Sequence, residues 1–385
     1  GYWIKNFQYR ASDREAARAI GVAVQSLSAS IFAVKIDFSE GNQKSKSKKC
    51  TFVRMILVTG GTGMVGAHLL LACAKKKQSV RATYRREESL EKIRALFQKL
   101  APEDPECFDR VEWVKTHLND LRNLDLAFEG VTQVYHCAAK VSMAQYHKEK
   151  LFKTNIEGTA NIVNLSLKHK VKKLGYVSSI AALGAGKEVK TVDENHFWSS
   201  TENHTAYAYS KYGAELEVWR GAQEGLEVII VNPGVILGAH FWSRSSGTIF
   251  QRVASGLHFY PTGKTGVVSL EDVVKSLVLL MESQIKNERF ILVSENIKQK
   301  ILLDKIATAL KKKKPFFPLS KGVLIFLFIL EKTSAILGLK KNYLSLSLID
   351  TLCGEQRYDG TKISKQISFT YSDTDEAIVN ITEHY

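Results

Sequence analysis

The sequence predicts an α/β fold: a doubly wound parallel sheet followed by a smaller, irregular C-terminal substrate-binding region. Three observations carry this. Short runs rich in Val and Ile alternate with helix-period segments, the runs are apolar throughout rather than at every second residue, and a glycine-dense turn joins the first run directly to a helix. Strands that are apolar on both faces need cover on both sides, and helices placed between successive strands supply it.

Taken in order, strands are expected at 55–59, 80–84, 111–115, 131–136, 174–178 and 228–231. Between them, apolar residues recur every three to four positions at 87–100, 155–169 and 206–222, which predicts helices. Beyond about residue 235 the alternation loses its regularity. The expected organisation is an appended segment and linker over 1–54, a cofactor-binding domain over 55–235, and a substrate-binding region over 236–385 interleaved with it. Within the first segment a capping-box pattern, Ser12 to Glu15, runs into the lysine-rich stretch 40–49, and Met55 stands directly before the first strand. Deleting residues 1–54 is therefore expected to leave folding and activity unchanged.

Composition fits a globular protein, with 45% apolar and 24% charged residues in 385. The five cysteines are scattered and form no Cys-x-x-Cys pair, so neither a disulfide framework nor a zinc site is signalled, and a reducing, cytoplasmic setting is expected. The net charge of +15 comes from short, separated lysine clusters without a nucleic-acid module beside them, so no nucleic-acid partner is expected. The longest apolar run, 323–330, is too short to span a bilayer. It lies between Lys311–Lys314 and Lys340–Lys341, with a second apolar piece at 336–339. Three placements are open for it: a helix buried against the core, which is the first expectation, a lid over an apolar substrate, or a helix in a membrane interface. The protein is expected in the soluble fraction, with Phe241, Trp242, Phe259 and Tyr260 lining a pocket for a flat apolar substrate.

In MILVTGGTGMVGAHLLL a strand, a turn and a helix follow without interruption, with Gly60, Gly63 and Gly66 three residues apart. Missing side chains allow the tight turn, the approach of backbone N–H groups to a pyrophosphate and close packing of helix on strand. At the end of the second strand, where an acidic residue would accept from the ribose 2′-hydroxyl of NAD, the chain has Tyr84, Arg85 and Arg86. An acid repels a 2′-phosphate and an arginine binds one, so NADP is preferred over NAD, with Arg85 as the contact.

In AYAYSKYGAE, Tyr207 and Lys211 are four apart and share a helix face. Carbonyl reduction needs a proton donor, and a phenol is poorly matched to neutral pH until a cation favours its phenolate. Lys211, with a nicotinamide beside it, is expected to bring Tyr207 toward neutrality, a shift worth roughly 4 kcal/mol. Ser178 and Ser179 follow the fifth strand at the carboxyl edge of the sheet, and Ser179 is the one expected to hold the reacting oxygen.

From Met55 onward, over about 330 residues, the chain resembles the extended short-chain dehydrogenase/reductases. The likeness is strongest to the NAD-dependent epimerase/dehydratase family, in its dihydroflavonol-reductase-like and 3β-hydroxysteroid-dehydrogenase-like branches. The resemblance implies a Rossmann fold and assigns cofactor contacts to Gly60, Gly63, Met64, Val65 and Gly66 in TGGTGMVG, Ala138 and Ala139 in YHCAAKV, and Pro233 and Val235 in VNPGVILG. It assigns catalysis to Ser179, Tyr207 and Lys211, the last two also touching the cofactor, and gives Asn155 in KTNIEGTANIV the task of organising the lysine and a water. Where the family carries an Asp at the adenine, this chain has His117 followed by Leu118, and Leu118 takes the cofactor contact there. The implied activity is hydride transfer between a nicotinamide cofactor and a carbonyl or hydroxyl carbon of a small apolar molecule, with no metal and with a homodimer compatible. A nucleotide-sugar epimerase or dehydratase and a non-catalytic cofactor-binding protein are the alternatives.

Overall fold

The computed structural model describes residues 54–143, 147–186, 188–244, 246–336 and 344–385. The expectations for residues 1–53 and for 337–339 lie outside the described residues.

Seven strands form one parallel sheet: β1 (Met55–Thr59), β2 (Val80–Tyr84), β3 (Val111–Lys115), β4 (Val131–His136), β5 (Lys173–Val177), β7 (Glu227–Pro233) and β11 (Glu288–Leu292). Their spatial order is β11-β7-β5-β4-β1-β2-β3. Every pair is parallel. The order reverses at β1, whose neighbours are β2 and β4, so the carboxyl ends of β1 and β4 bound the crevice where ligands bind in open α/β sheets. Period-2 alternation explains the uninterrupted apolar runs. Ile56 and Val58 face one core cluster and Leu57 the other, and in β7 Ile229 and Val231 oppose Val228 and Ile230 in the same way.

The first face is covered by α1 (Met64–Lys75) and α2 (Glu87–Leu100). On the opposite face, beyond α3 (Leu121–Ala127) and α4 (Lys148–Phe152), lie α5 (Gly158–Lys168) and α6 (Ala206–Gln223). Between α4 and α5 the helix widens into a π-turn at Lys153–Glu157, so the segment expected as one helix from 155 begins with a local distortion.

The chain beyond 235 is more regular than expected. After the two-residue β6 (Thr191–Val192), strand β8 (Val235–Leu237) joins β10 (Lys264–Ser269) and β12 (Glu295–Lys298) in a second sheet, and β9 (Phe259–Pro261) pairs with β13 (Phe317–Leu319). The last strand, β14 (Arg357–Tyr358), pairs with β6. The helices of this part are α7 (Gly247–Ala254), α8 (Leu270–Glu282), α9 (Gln299–Ala309), α10 (Lys321–Ile336), α11 (Leu346–Cys353), α12 (Lys362–Gln366) and α13 (Thr374–Glu383). Two of its elements complete the first part of the chain: β11 extends the main sheet beside β7, and α8 packs on α1.

One expectation fails here. The apolar run at 323–330 is not buried against the core: Leu324 is, but Phe326 is 60% and Ile329 53% exposed. An apolar run predicts burial only when a neighbouring element covers each of its faces, and α10 is covered along one edge. No helix among the described residues is long and apolar enough to cross a membrane.

Candidate active site

The glycine turn is fixed by sterics. Gly60 has φ +73°, a left-handed conformation that costs a side-chain-bearing residue energy, and a Cβ there would stand 2.7 Å from the Ala138 backbone. A Cβ on Gly66 would overlap the Gly60 carbonyl, so the start of α1 packs directly on the turn. The turn closes through Gly63 N–H donating to Gly60 O at 2.9 Å, and Met64 and Val65 are buried behind it. Ala138 and Ala139 follow β4 beside this turn. Gly238 approaches Met64, which places the segment running from Pro233 and Val235 on the same side of the crevice. A dinucleotide fits this cradle, because the residues around it offer main-chain groups and small side chains where a Cβ would block approach.

Arg85 and Arg86 are exposed after β2. Burial, then the charges of Lys150 and Arg85, holds the Lys140 ammonium below the usual lysine range, so Arg85 and Lys140 face a shared region. The Leu118 side chain is buried in the second core cluster against Gly158, and its carbonyl accepts from Asn161 at 2.9 Å. Its side chain is thus committed to packing.

The expected catalytic residues converge. Thr205 caps α6 by accepting from Ala208 N–H at 3.1 Å, which aims the first turns of that helix at the end of β5. Tyr207 is hydrogen-bonded to Ser179, and burial pushes its phenol up to about 12 against the opposing effect of that bond. Lys211 Nζ donates to Val177 O at 2.8 Å and to the Tyr176 hydroxyl at 3.2 Å. Burial brings its ammonium down to about 8, with the Glu215 carboxylate opposing. Desolvation dominates the Tyr207 phenol, and Lys211, one turn further along the same helix, holds its ammonium in place through Tyr176 and Val177.

Asn155 lies in the π-turn, where its side chain reads the main chain of Lys140 in both directions, accepting from its N–H at 2.7 Å and donating to its carbonyl at 2.9 Å. It also donates to Ser210 Oγ at 2.9 Å, and Ser210 in turn donates to Tyr207 O at 2.8 Å. Asn155 therefore ties the end of β4 to the catalytic helix rather than touching Lys211.

The choice between the two serines follows from geometry. Ser178 Oγ donates to Glu215 at 2.8 Å and is buried, whereas Ser179 meets Tyr207. Glu215 is the hub of a network that sequence reasoning missed: it also accepts from Asn232 Nδ2 at 2.9 Å and from Arg289 Nη1 at 3.1 Å. Asn232 donates as well to Ser179 O at 3.0 Å, so the network holds the backbone of Ser179. Below Lys211 runs a second missed chain: Tyr176 bonds Thr159, Thr159 meets His136 Nε2 at 2.9 Å, and His136 Nδ1 meets Thr59 Oγ1 at 2.6 Å. Burial drives His136 to about 3, so the ring is neutral and serves as a relay of hydrogen bonds between β1 and β5.

The four aromatic residues expected to line one pocket do not gather. Phe241 packs near His68, Trp242 against Phe250 and Tyr385, Tyr260 beneath Lys300, and Phe259 stacks on Phe317 at the surface. Beside α6 there is instead an aromatic group in which Trp198 stacks on Tyr212 at 4.3 Å and contacts His204 and Tyr209.

The chain is similar to known proteins over much of its length. A dihydroflavonol 4-reductase candidate from Synechocystis sp. is 28% identical over 333 residues, which is 84% of this chain and 92% of that protein. Tetraketide alpha-pyrone reductase 2 of Arabidopsis thaliana is 30% identical over 250 residues, 61% of this chain and 76% of its own. An enzyme of Bordetella bronchiseptica solved in complex with NAD shares the fold, with a TM-score of 0.65 at 16% identity over 86% of this chain and 93% of that one. The profile of the NAD dependent epimerase/dehydratase family matches residues 56–292, which runs from the first strand of the sheet through its last and includes the glycine turn, Ser179, Tyr207 and Lys211, so the chain belongs to that family.

Proposed function

We propose that the protein is an NADP-preferring reductase that acts on a small apolar carbonyl compound, or on the corresponding alcohol in reverse. The observation that carries this is the Ser179–Tyr207 hydrogen bond at the end of the fifth strand, with Lys211 one turn further along the same helix and hydrogen-bonded to Val177 and Tyr176. The nicotinamide, when bound, supplies the hydride. Ser179 holds the substrate oxygen, Tyr207 Oη delivers a proton to that oxygen, and the Lys211 ammonium stabilises the phenolate left behind. Asn155, acting through Ser210, and Glu215, acting through Asn232 and Ser178, fix the helix and the serine in register.

Gly60, Gly63, Met64, Val65 and Gly66 would hold the pyrophosphate, Ala138, Ala139, Pro233 and Val235 the nicotinamide half, the Leu118 main chain the adenine, and Arg85 a 2′-phosphate. The reductase names of the two sequence relatives support the direction of reaction. Buried free Cys73 and Cys107 support a reducing, cytoplasmic setting. The test is oxidation of NADPH, followed by absorbance, with a panel of aryl ketones, dihydroflavonols, 3-ketosteroids and nucleotide sugars. Turnover of the apolar ketones is expected, and activity confined to nucleotide sugars would overturn the proposal.

A further inference from the structure

We propose that α10, together with the β9–β13 pair, forms a docking surface for an anionic lipid bilayer. The patch is apolar and built from neighbouring elements. Phe316 and Phe317 are 58% and 52% exposed, Phe317 contacts Phe316 at 4.4 Å and stacks on Phe259 at 5.7 Å, and α10 begins two residues beyond β13. From α10 itself, Phe326, Ile329 and Leu330 stand in solvent, while among its described side chains only Leu324 is fully buried. A helix apolar on nearly all sides but anchored along one edge leaves its remaining faces to an external apolar phase.

Charge selects the kind of phase. Lys311, Lys312, Lys313 and Lys314 are consecutive and all exposed just before the two phenylalanines, whereas Lys305 and Lys321 to either side are already paired with Asp375 and Asp350. Arg252 is exposed on the segment leading to Phe259. Apolar side chains flanked by a cluster of cations match a bilayer whose acyl region lies beneath anionic headgroups. At about 1.5 Å per residue the 16-residue α10 is about 24 Å long, short of the roughly 30 Å hydrocarbon core, so it lies along the surface rather than through it. A second copy of the chain fits less well, because a two-fold dimer through this face would bring both exposed tetralysine runs to one interface. Attachment of this kind is released by salt, so the protein stays in a soluble extract at high ionic strength.

The full chain is sedimented with vesicles of pure phosphatidylcholine and with vesicles of equal parts phosphatidylcholine and phosphatidylglycerol. Binding to the anionic vesicles alone, weakening as salt rises, is expected. The double change Lys312→Glu and Lys313→Glu is expected to weaken it at least about 25-fold, taking each lysine as worth about fivefold. Phe326→Ser with Ile329→Ser is expected to abolish binding while melting temperature and turnover are kept, since both side chains are already in solvent. Failure to bind anionic vesicles, equal binding to neutral ones, or a concentration-dependent dimer lost on Phe326→Ser without vesicle binding would each overturn the proposal.

Discussion

Glu215→Gln tests the network behind the active serine. Glu215 is 3% and Arg289 10% exposed at their side chains, and the pair is one of opposite charges in contact at 3.1 Å. Glutamine keeps the shape and can still accept from Ser178 and Asn232, but it removes the carboxylate charge that the Arg289 guanidinium contacts, leaving that side of the guanidinium facing a neutral amide. Removing one member of a buried pair costs on the order of 3–5 kcal/mol. The unit from Val53 to Tyr385 holds roughly 330 residues, for which the unfolding entropy is about 0.7 kcal/mol/K. The melting temperature is therefore expected to fall by about 4–7 °C in differential scanning calorimetry. A second readout separates catalysis from stability. In the proposed mechanism the charged Lys211 is the active form, so activity is expected to be lost as pH rises through its value of about 8, and the Glu215 charge holds that value up. Without the carboxylate the ammonium releases its proton more readily, and the alkaline limb of the kcat/KM profile is expected to move to lower pH. A drop in melting temperature below about 1 °C together with an unmoved limb would refute the reasoning.

Three further outcomes are expected. Tyr207→Phe reduces turnover at least about a hundredfold while leaving cofactor affinity nearly intact, because only the proton donor is removed; stopped-flow binding and steady-state rates check both halves. Arg85→Ala erodes a preference for NADPH over NADH that calorimetry detects in the parent protein, and equal affinities in the parent would end the argument for a 2′-phosphate site. Tyr176→Phe removes one of the two acceptors of Lys211 Nζ, so the alkaline limb shifts to lower pH and turnover falls severalfold, whereas a purely structural tyrosine would alter only the melting temperature.

Six strands of the main sheet were legible because they are buried on both faces and read as continuous apolar runs, whereas the seventh, β11, was not read, because it lies beyond residue 235 where the strand–helix alternation is lost. The fifth strand was placed one residue late for a physical reason. It opens with Lys173, a charged residue that reads as loop, yet Lys173 Nζ donates to Leu280 O and Ser283 O and so satisfies the end of α8. The convergence of Ser179, Tyr207 and Lys211 was legible from spacing and strand position. Glu215 carried a signal that went unused, since it continues the four-residue spacing of Tyr207 and Lys211 along α6. Arg289 carried none, because its partner lies 74 residues away and only the sheet order brings them together. The outward face of α10 was illegible for a related reason: apolar composition is a property of the helix, and cover is a property of its neighbours.

The position of β11 at the edge of the sheet has a consequence for birth on the ribosome. Glu215 leaves the exit tunnel 74 residues ahead of Arg289, a delay of roughly 4–15 s at ordinary synthesis rates. During that interval β7 is an open edge, and the carboxylate behind the active serine has no cation to face. The nascent chain can assemble its cofactor crevice, since β1 through β5 and the glycine turn are already made, but it cannot finish the wall of its catalytic site. On the proposed function, the order in which the strands are translated puts cofactor binding early and catalytic competence late.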